Sequence, residues 1–531
     1  MSYGQALAAL VERLYHFFQE ARLEGYLVGG GLRDLLLGEH LHDLDIVVRG
    51  DGPTAARQIA DVLHGDFARL GQEKGVGRVI LSTQSNPGEA LSAPFILDIA
   101  TLRSEGLRDD LLRRDFTINA LALPLEYAQA LLASLNNQSN LESLPFVDPT
   151  HGLHDLRSRT VRIVRPSVFQ DDPLRLLRAI RFSQRYQFRI ARSTSHQLRR
   201  DAQLLIQVAP ERLRDELFHL LQMPTIVSAV QAMERYRLLP FIFPAFFSHQ
   251  AKGPGKQRLK FPKSRWKTLS RMHAFLSFVH SANELSLSEL TLTSNVEKLA
   301  RLLRSIPVGE RWYDKPIGPT PRYLLFSLAA LLYDLVLVGR KSEEQAQGKT
   351  SESELYDPFQ FSKERFTELS ENLHKLALGH QVVSFMMTLL GNSTLPWSLE
   401  PPPGDASAPW KAARHFFDHF GERGVDLAIF SLISESALPP KKVYPRRPTQ
   451  PEVILMLIER YYRSRETLLP GLLIDGYELM ARLGISHGPI VGTLLHQIRQ
   501  AQLDGTIQTA EEAMRLADSL LKRNQRSPDS G

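Results

Sequence analysis

The chain has 531 residues, enough for several domains, and its 43% hydrophobic and 23% charged residues are ordinary for a globular protein. It contains no cysteine, which excludes disulfides, thiolate metal sites and cysteine nucleophiles and fits a reducing cytoplasm. The formal charge of +6 is modest. We expect residues 1–24 to form an amphipathic helix rather than a secretory signal. The apolar stretch 323–339 is short and contains Asp334, so we predict a buried helix and no membrane segment.

Three glycines followed by two aspartates form the most informative segment. Residues 26–28 predict a short strand, residues 29–31 a tight glycine turn, and residues 32–37 a helix whose N-terminus attracts phosphate. Asp43 and Asp45 open the next strand, where alternate side chains face the same way. Two carboxylates beside a phosphate site are typical of Mg²⁺-dependent nucleotidyl transfer. The alternative is a solvated strand end beside an ordinary turn, and the dinucleotide fingerprint G-x-G-x-x-G is absent.

An aspartate also interrupts a later apolar strand. The periodicity predicts strands over 26–28, 45–48, 78–82 and 95–100, and helices over 32–37 and 54–63. A carboxylate such as Asp98 within an apolar strand needs a partner. We expect either a third metal-side carboxylate facing Asp43 and Asp45, or a strand-end ion pair with Arg103.

The segment 112–121 concentrates groups that suit a nucleotide. Arg114 can reach a triphosphate, Asp115 can accept from ribose hydroxyls, and Asn119 can both donate and accept. We therefore predict that these three side chains hold the triphosphate and the sugar.

Beyond about residue 165 the apolar spacing is almost wholly helical. One predicted helix begins with Pro210 at its first position. In another, Asp172 and Arg175 lie one turn apart, so an acceptor and a fork of donors can face one site. Arg178 and Arg181 follow at the same spacing and drift slowly around that side.

The basic residues are segregated. Residues 157–214 contain 14 Arg, no Lys and only four acids, and residues 251–271 contain eight basic residues and no acid. Such segregation favours a surface that binds a polyphosphate or a nucleic acid. The alternative is that these charges only keep the protein soluble. The residues predicted to follow an RNA backbone are Lys252, Lys256, Arg258, Lys260, Lys263, Arg265 and Lys267.

The order of these motifs resembles the class II tRNA nucleotidyltransferase and bacterial poly(A) polymerase family. The motifs are G-G-x-x-R-D, D-x-D, R-R-D-F-T-x-N-A, D-P-x-x-G-x-x-D-L and D-D-P-x-R-x-x-R-A-x-R-F, within residues 20–220. The resemblance resumes at residues 476–492. It implies a polymerase-β-like α+β head with a mixed sheet, then an all-α neck, body and tail. We place the head at 1–145, the neck at 146–222, the body at 223–450 and a tRNA-binding tail at 451–531.

The resemblance also implies roles for the candidate residues. Asp43 and Asp45 would hold Mg²⁺, and Asp98 is a further candidate at the catalytic centre. Asp172 and Arg175 would act as a protein template that accepts CTP and ATP. Triphosphate and ribose contacts would come from Gly29, Gly30, Arg33, Arg114, Asp115, Asn119, Arg178 and Arg181. The implied activity adds C, with or without a final A, to the 3′ end of tRNA.

One departure from the family pattern concerns the nucleotide added. Only residues 99–113 separate Asp98 from Arg114, whereas members that add the terminal A usually carry a longer loop there. The short connection resembles enzymes that add only CC, which need a partner A-adding enzyme. The alternatives are a poly(A) polymerase acting with ATP on RNA 3′ ends and, from another class, a catalytically idle RNA-binding protein.

A second departure lies in the body. Residues 328–335 resemble the metal-binding helix of an HD-type phosphohydrolase, but Tyr333 stands where the family has a histidine ligand. His273, His380 and Asp426 are candidate remnants of such a site. Without the His–Asp pair, we predict a structural and tRNA-binding body and no phosphohydrolase.

Overall fold

The structure is a computed structural model that describes residues 3–71, 75–82, 94–102, 106–136, 141–251, 266–280, 294–307, 311–346, 363–393, 395–399, 411–435, 451–463 and 465–525. The strands are β1 (Gly25–Val28), β2 (Asp43–Val48), β3 (Asp66–Arg69), β4 (Val76–Leu81), β5 (Phe95–Thr101), β6 (Ala122–Pro124), β7 (Thr160–Val161) and β8 (Arg189–Ile190). The α-helices are α1 (Tyr3–Glu20), α2 (Gly29–Leu36), α3 (Gly52–Leu63), α4 (Leu107–Leu112), α5 (Ala128–Asn136), α6 (Gly152–Arg157), α7 (Val168–Asp171), α8 (Arg175–Arg185), α9 (Arg192–Asp201), α10 (Pro210–Leu221), α11 (Ile226–Arg235), α12 (Leu239–Ile242), α13 (Lys267–His280), α14 (Ser294–Arg304), α15 (Arg322–Ala346), α16 (Lys363–Lys375), α17 (His380–Gly391), α18 (Lys411–Phe420), α19 (Arg423–Glu435), α20 (Pro451–Arg463), α21 (Arg465–Leu468), α22 (Gly476–Leu483), α23 (Pro489–Leu503) and α24 (Ala510–Gln525). Short 3-10 helices span Thr117–Asn119, Leu125–Tyr127, Leu141–Ser143, Ala202–Gln207, Pro244–Ala251, Trp312–Asp314 and Leu395–Ser398.

Six strands form one mixed sheet in the order β3-β4-β5-β2-β1-β6. β2 and β5 are parallel with Asp45 opposite Asp98, and the other neighbouring pairs are antiparallel. β2 buries Leu44 and Ile46, while Asp43 at its start is exposed and Asp45 is half-buried. This alternation follows from the two-residue period of a strand. The predicted α+β head with a mixed sheet and a mostly helical remainder is confirmed.

The boundaries of the first elements differ from the predicted ones. α2 begins at Gly29, so the glycines form the first turn of the helix rather than a turn before it. A Cβ on Gly31 would lie 3.2 Å from Leu44 Cα, so glycine lets α2 pack closely on β2. The sequence does not predict the edge strands β3 and β6, because one is polar at both ends and the other has only three residues and ends in proline.

Helices follow the sheet, as predicted, apart from the two-residue parallel pair of β7 and β8. Pro210 occupies the first position of α10, which confirms that prediction. α8 buries an apolar face that includes Leu176, Leu177 and Ile180, and this leaves its arginines on the other side.

Contacts within the chain divide it into two compact units, Met1–Ile242 and Phe243–Gly531. The finer division at residues 145, 222 and 450 stays a prediction. In the second unit α15 is buried through Leu335, which confirms the predicted core helix. None of the helices in the described part of the chain is both long and apolar enough to cross a membrane.

Candidate functional site

A cleft of about 590 Å³ lies within the first unit, beside the first residues of β2. Its walls come from α2, the connection between α2 and β2, the segment after α4, and α8. The lining residues are Gly29, Gly30, Arg33, Asp34, His40, His42, Asp43, Asp45, Arg114, Asp115, Asn119, Asp172, Leu174, Arg175, Arg178, Arg181, Phe182, Arg185 and Arg212. The fold therefore brings together every predicted metal and nucleotide residue, while Asp98 is not part of this lining.

The glycine turn fits closely around one carboxylate. Gly29 has a φ of +70°, a conformation that favours glycine. The N–H of Gly30 donates to Asp45 Oδ2 at 3.1 Å. A Cβ on Gly29 would lie 2.8 Å from that oxygen and 2.9 Å from Arg114 Nη1. Backbone conformation and close approach thus both require glycine at this position.

Asp43 and Asp45 place two carboxylates at one edge of the cleft. Burial, and then the negative charge of Asp43, raise the pKa of Asp45, although the charge of Arg114 opposes the shift. A divalent cation relieves this repulsion, and Mg²⁺ is commonly held by one or two carboxylates together with substrate phosphates. The described residues contain no group of three or more His, Asp or Glu that could hold a metal. Asp43 and Asp45 stay the residues predicted to hold a Mg²⁺ ion, and both line the cleft.

Asp98 has a different partner from the one considered from the sequence. Arg78 on β4 donates to both of its oxygens, from Nε and from Nη2, each at 2.8 Å. Arg103 lies outside the described residues. Asp98 sits opposite Asp45 on the parallel strand, but its carboxylate is held by Arg78.

Arg33 is fixed beneath the cleft and is only 4% exposed. Its Nε donates to Asp34 Oδ1 at 2.8 Å and its Nη1 to Asn119 Oδ1 at 2.5 Å. Its guanidinium lies over the rings of Phe182 and Tyr186, 4.9 and 4.7 Å from their centroids. These contacts hold a cation in position before a ligand arrives.

Asp115 is a buried acceptor for four N–H groups, one of them the backbone N–H of Phe116, which donates to Oδ1 at 2.8 Å. Arg178 donates to its Oδ2 from Nε at 2.9 Å and from Nη2 at 2.7 Å, and Asn119 donates to Oδ1 at 2.8 Å. Burial alone would raise the pKa of Asp115, but the charge of Arg178 and these hydrogen bonds lower it. Asp115 therefore stays ionised and orients both Asn119 and Arg178.

Arg114 is only partly engaged. Its Nη2 pairs with Asp110 Oδ2 at 3.2 Å, and its buried Nε has no hydrogen-bond partner among the described residues. Its Nη1 donates to the carbonyl oxygen of Asn119 at 3.4 Å, and the side chain lines the cleft.

The predicted template pair is engaged with protein groups. Asp172 Oδ2 accepts from Arg212 Nη2 at 2.8 Å. Arg175 donates to the carbonyl oxygens of Arg113 at 3.2 Å and Val168 at 3.4 Å. A base that pairs with Asp172 and Arg175 would have to compete with these contacts.

Arg181 is anchored away from a simple phosphate contact. Its Nε donates to Glu216 Oε1 at 2.6 Å, and its guanidinium lies 4.8 Å from the Phe182 ring centroid. Arg181 still lines the cleft, so its predicted role as a phosphate contact stays a prediction.

Seven lining residues are not predicted from the sequence: Asp34, His40, His42, Leu174, Phe182, Arg185 and Arg212. Asp34 belongs to the G-G-x-x-R-D motif, so the sequence contained a signal for this residue. The motif could not predict the partner of Asp34, which is Tyr186, 152 residues away. The Tyr186 hydroxyl donates to Asp34 at 2.7 Å.

The predicted RNA contacts lie almost entirely outside the described residues. Lys252, Lys256, Arg258, Lys260, Lys263 and Arg265 fall in the gap between residues 251 and 266. Lys267 is described, as the exposed first residue of α13.

The HD-like segment has structural contacts. Tyr333 is 3% exposed and packs edge-to-face on Phe430. Asp334 accepts from the backbone N–H groups of Thr268 and Leu269, which open α13, at 3.4 and 3.0 Å. Asp334 thus serves as a helix cap here. His273, His380 and Asp426 belong to no metal-binding group among the described residues.

Two family models match parts of the chain that include most of the cleft residues. Residues 25–162 match the family described as "Poly A polymerase head domain". Residues 187–249 match the family described as "Probable RNA and SrmB- binding site of polymerase A". These two matches, over residues 25–162 and 187–249, confirm the resemblance.

Named relatives are tRNA nucleotidyltransferases. The chain is 37% identical over 208 residues to a CC-adding tRNA nucleotidyltransferase of Geobacter sulfurreducens, covering 39% of this chain and 43% of the relative. It is 34% identical over 238 residues to an A-adding tRNA nucleotidyltransferase of Halalkalibacterium halodurans, covering 42% of this chain and 51% of the relative. The chain thus spans about half or less of the length of these relatives.

Two further comparisons extend over nearly the whole chain. An A-adding tRNA nucleotidyltransferase of Deinococcus radiodurans is 27% identical over 498 residues, covering 92% of this chain and 93% of the relative. A solved complex of a CCA-adding enzyme with CTP aligns with a TM-score of 0.54 at 21% identity, covering 95% of this chain and 93% of that chain. At this identity the structural likeness shows the fold.

Proposed function

We propose that this protein is a Mg²⁺-dependent nucleotidyltransferase that extends the 3′ end of tRNA with C from CTP. The observation that carries the proposal is the composition of the cleft. Two adjacent carboxylates, a glycine turn and pre-positioned arginines line it together with the acceptor Asp172 and the donor Arg175. The named relatives are tRNA nucleotidyltransferases, which supports tRNA as the substrate.

In the proposed reaction the RNA 3′ oxygen attacks the α-phosphorus of the nucleotide, and the bond to the leaving pyrophosphate breaks. Mg²⁺ held by Asp43 and Asp45 would supply charge neutralisation and activation of that hydroxyl. Arg33 and Arg114 bind the triphosphate and offset the charge that develops on pyrophosphate. The N–H groups of the glycine turn add neutral donors beside them.

The sugar and the base are selected by different groups. Asp115 and Asn119 accept from the ribose hydroxyls, which favours ribonucleotides. Asp172 accepts from the exocyclic amine of C or A, and Arg175 donates to the ring acceptors. Uracil has no such amine and guanine reverses the donors and acceptors, so both are rejected.

The short connection 99–113 favours addition of CC alone, in which case a partner enzyme supplies the final A. The match to the Geobacter sulfurreducens CC-adding enzyme accords with this proposal. A specific observation favours a second candidate, addition of A to an end that already carries CC, because the Deinococcus radiodurans relative is A-adding and matches over 92% of this chain.

Extension of tRNA transcripts at single-nucleotide resolution tests the proposal. Transcripts lacking CCA and transcripts ending in CC are each supplied with CTP, ATP or both. CC addition predicts two additions from CTP and no further step with ATP. A single A on the CC transcript alone identifies an A-adding enzyme, and three additions a CCA-adding enzyme. A long ladder from ATP identifies a poly(A) polymerase, and RNA binding without incorporation an idle RNA-binding protein.

A further inference from the structure

The connection between α2 and β2 forms part of the cleft that the proposed reaction does not use. His40 and His42 both line the cleft, both are exposed residues, and His42 directly precedes Asp43. The arginines of the cleft come from other parts of the chain. His42 therefore lies next to Asp43 in the chain, and His40 lies three residues before Asp43.

This connection is pinned by the N-terminal helix. The Tyr3 hydroxyl accepts from Leu41 N at 2.7 Å and donates to Leu41 O at 2.7 Å. The Tyr3 ring also packs edge-to-face on His40, with centroids 4.7 Å apart. Leu41 is 3% exposed. The residue between the two histidines is thus held by a side chain from α1, so both imidazoles are presented from a fixed backbone.

We propose that this connection binds the RNA 3′ end, with His40 and His42 donating to the last phosphodiester and Tyr3 acting as a positioning residue. The inference rests on the proposed function, because the attacking 3′ oxygen must reach Asp43 and Asp45 and carries its own 5′-linked phosphate with it. A neutral imidazole N–H is a sufficient donor for a phosphate oxygen. Two neutral donors are enough for a phosphodiester, which carries a single negative charge. The more highly charged triphosphate is bound by the arginines.

Chemical deletion of that charge is the sharpest test. tRNA lacking CCA is made with either a normal last phosphodiester or a neutral methylphosphonate there. We expect the methylphosphonate to weaken wild-type binding and to raise the KM for RNA by about tenfold. In H40F and H42F, which keep an aromatic ring but have no hydrogen-bond donor, the natural RNA should bind more weakly by a similar factor, and the penalty for the methylphosphonate should shrink to about twofold or less. The KM for CTP should stay within about twofold of wild type in both variants.

Tyr3 is tested by Y3F, which keeps the ring and removes both hydrogen bonds to Leu41. The expected result is a raised KM for RNA with an unchanged KM for CTP. The matched control is R13Q on the same helix, because Arg13 Nη2 donates to Val62 O at 2.9 Å in a contact that does not touch the connection. A loss confined to helix packing would affect both variants equally and would overturn the positioning role.

Equilibrium binding of the two RNAs without nucleotide gives the same comparison independently of turnover. A full methylphosphonate penalty in both histidine variants overturns the inference, as does a raised KM for CTP with an unchanged KM for RNA. Wild-type extension of the natural RNA tests the proposed function separately, so the two failures are distinguishable.

Discussion

At the scale of single residues, the cleft is prepared by ion pairs that fix its charged groups before any nucleotide binds. Arg178 is held by Asp115 and Arg181 by Glu216, so the side chains lose little further freedom on binding. The carboxylates Asp43 and Asp45 are the contrast, because they repel each other and lie where the proposed cation would bind.

We expect D45N to lower nucleotide incorporation by about a thousandfold or more, because an amide cannot supply the negative charge of a metal ligand. Affinity for tRNA should stay within about twofold. Primer extension and filter binding measure the two effects. D61N, an exposed change on α3, is the control and should match wild type. Full activity in D45N would remove Asp45 from the proposed metal site.

We expect R175A to relax base choice more than it weakens triphosphate binding. R175A removes the donor to the ring acceptors of cytosine, a contact that favours CTP over UTP. The ratio of kcat/KM for CTP to kcat/KM for UTP should therefore fall by about tenfold or more. Competition between the two nucleotides measures this ratio. R192A, an exposed arginine at the start of α9, should leave it unchanged. Unchanged selectivity in R175A would contradict the template role.

Asp426 in the second unit should make stability depend on pH. Burial raises the pKa of Asp426 to about 7, although Arg322 opposes the shift. The folded chain therefore retains a proton that the unfolded chain releases near its ordinary pKa of 3.8, and stability falls as the pH rises between these two values.

The prediction is that D426N removes this part of the slope of unfolding free energy against pH. All four tryptophans lie in the second unit, so their fluorescence during urea unfolding follows that unit. D314N, an exposed change, should keep the wild-type slope. An unaltered slope in D426N would show that Asp426 does not titrate in this range.

At the scale of elements, the start of α2 matters most. The helix begins within the glycines, and this places the N–H of Gly30 against Asp45 and leaves no room for a side chain at Gly29. Strand β2 supplies the carboxylates from its start. One strand and the first turn of one helix therefore build the proposed phosphate and metal site together.

G29A should destabilise the first unit by about 1–2 kcal/mol, because alanine is strained at a φ of +70°. It should also lower incorporation by at least about tenfold, since the new Cβ would press on Asp45 and Arg114. G484A is the matched control: Gly484 has a φ of +64° and no atom near a built Cβ. It should lose similar stability and keep the wild-type rate of incorporation at saturating tRNA, because Gly484 lies far along the chain from the cleft residues. Equal activity in the two variants would contradict the close fit at Gly29.

At the scale of the whole molecule, chemistry and the predicted RNA contacts fall in different units. The cleft lies in the first unit, Met1–Ile242. The basic stretch 251–271 lies near the start of the second unit, Phe243–Gly531. The residues predicted to follow an RNA backbone therefore lie outside the unit that holds the cleft.

Replacing the six basic residues between 252 and 265 by glutamine should flatten the salt dependence of tRNA affinity. Each lost phosphate contact lowers the slope of log affinity against log salt by roughly 0.7–0.9. Titrations of binding at several salt concentrations measure the slope. The KM for CTP is the internal control and should not change. An unchanged slope would mean that RNA binds elsewhere.

Local periodicity accounts for much of the fold and the site. The two-residue period of a strand places Asp43 and Asp45 together, and the helical spacing places Arg175, Arg178 and Arg181 on α8. It does not predict β3 or β6, whose pairing depends on neighbouring strands more than on their own residues. Local periodicity also places the start of α2 too late. The helix begins at Gly29, and glycine at position 31 lets it pack closely on Leu44.

The sequence by itself determined the order of motifs and, through the family that they resemble, the mixed α+β head and most of the residues in the cleft. Tertiary structure alone decided the partners. Arg78 holds Asp98, Tyr186 binds Asp34, and the hydroxyl of Tyr3 pins the connection that carries His40 and His42. These contacts join residues 20 to 152 positions apart, and no local pattern records which distant side chain the folded chain will bring within hydrogen-bond distance.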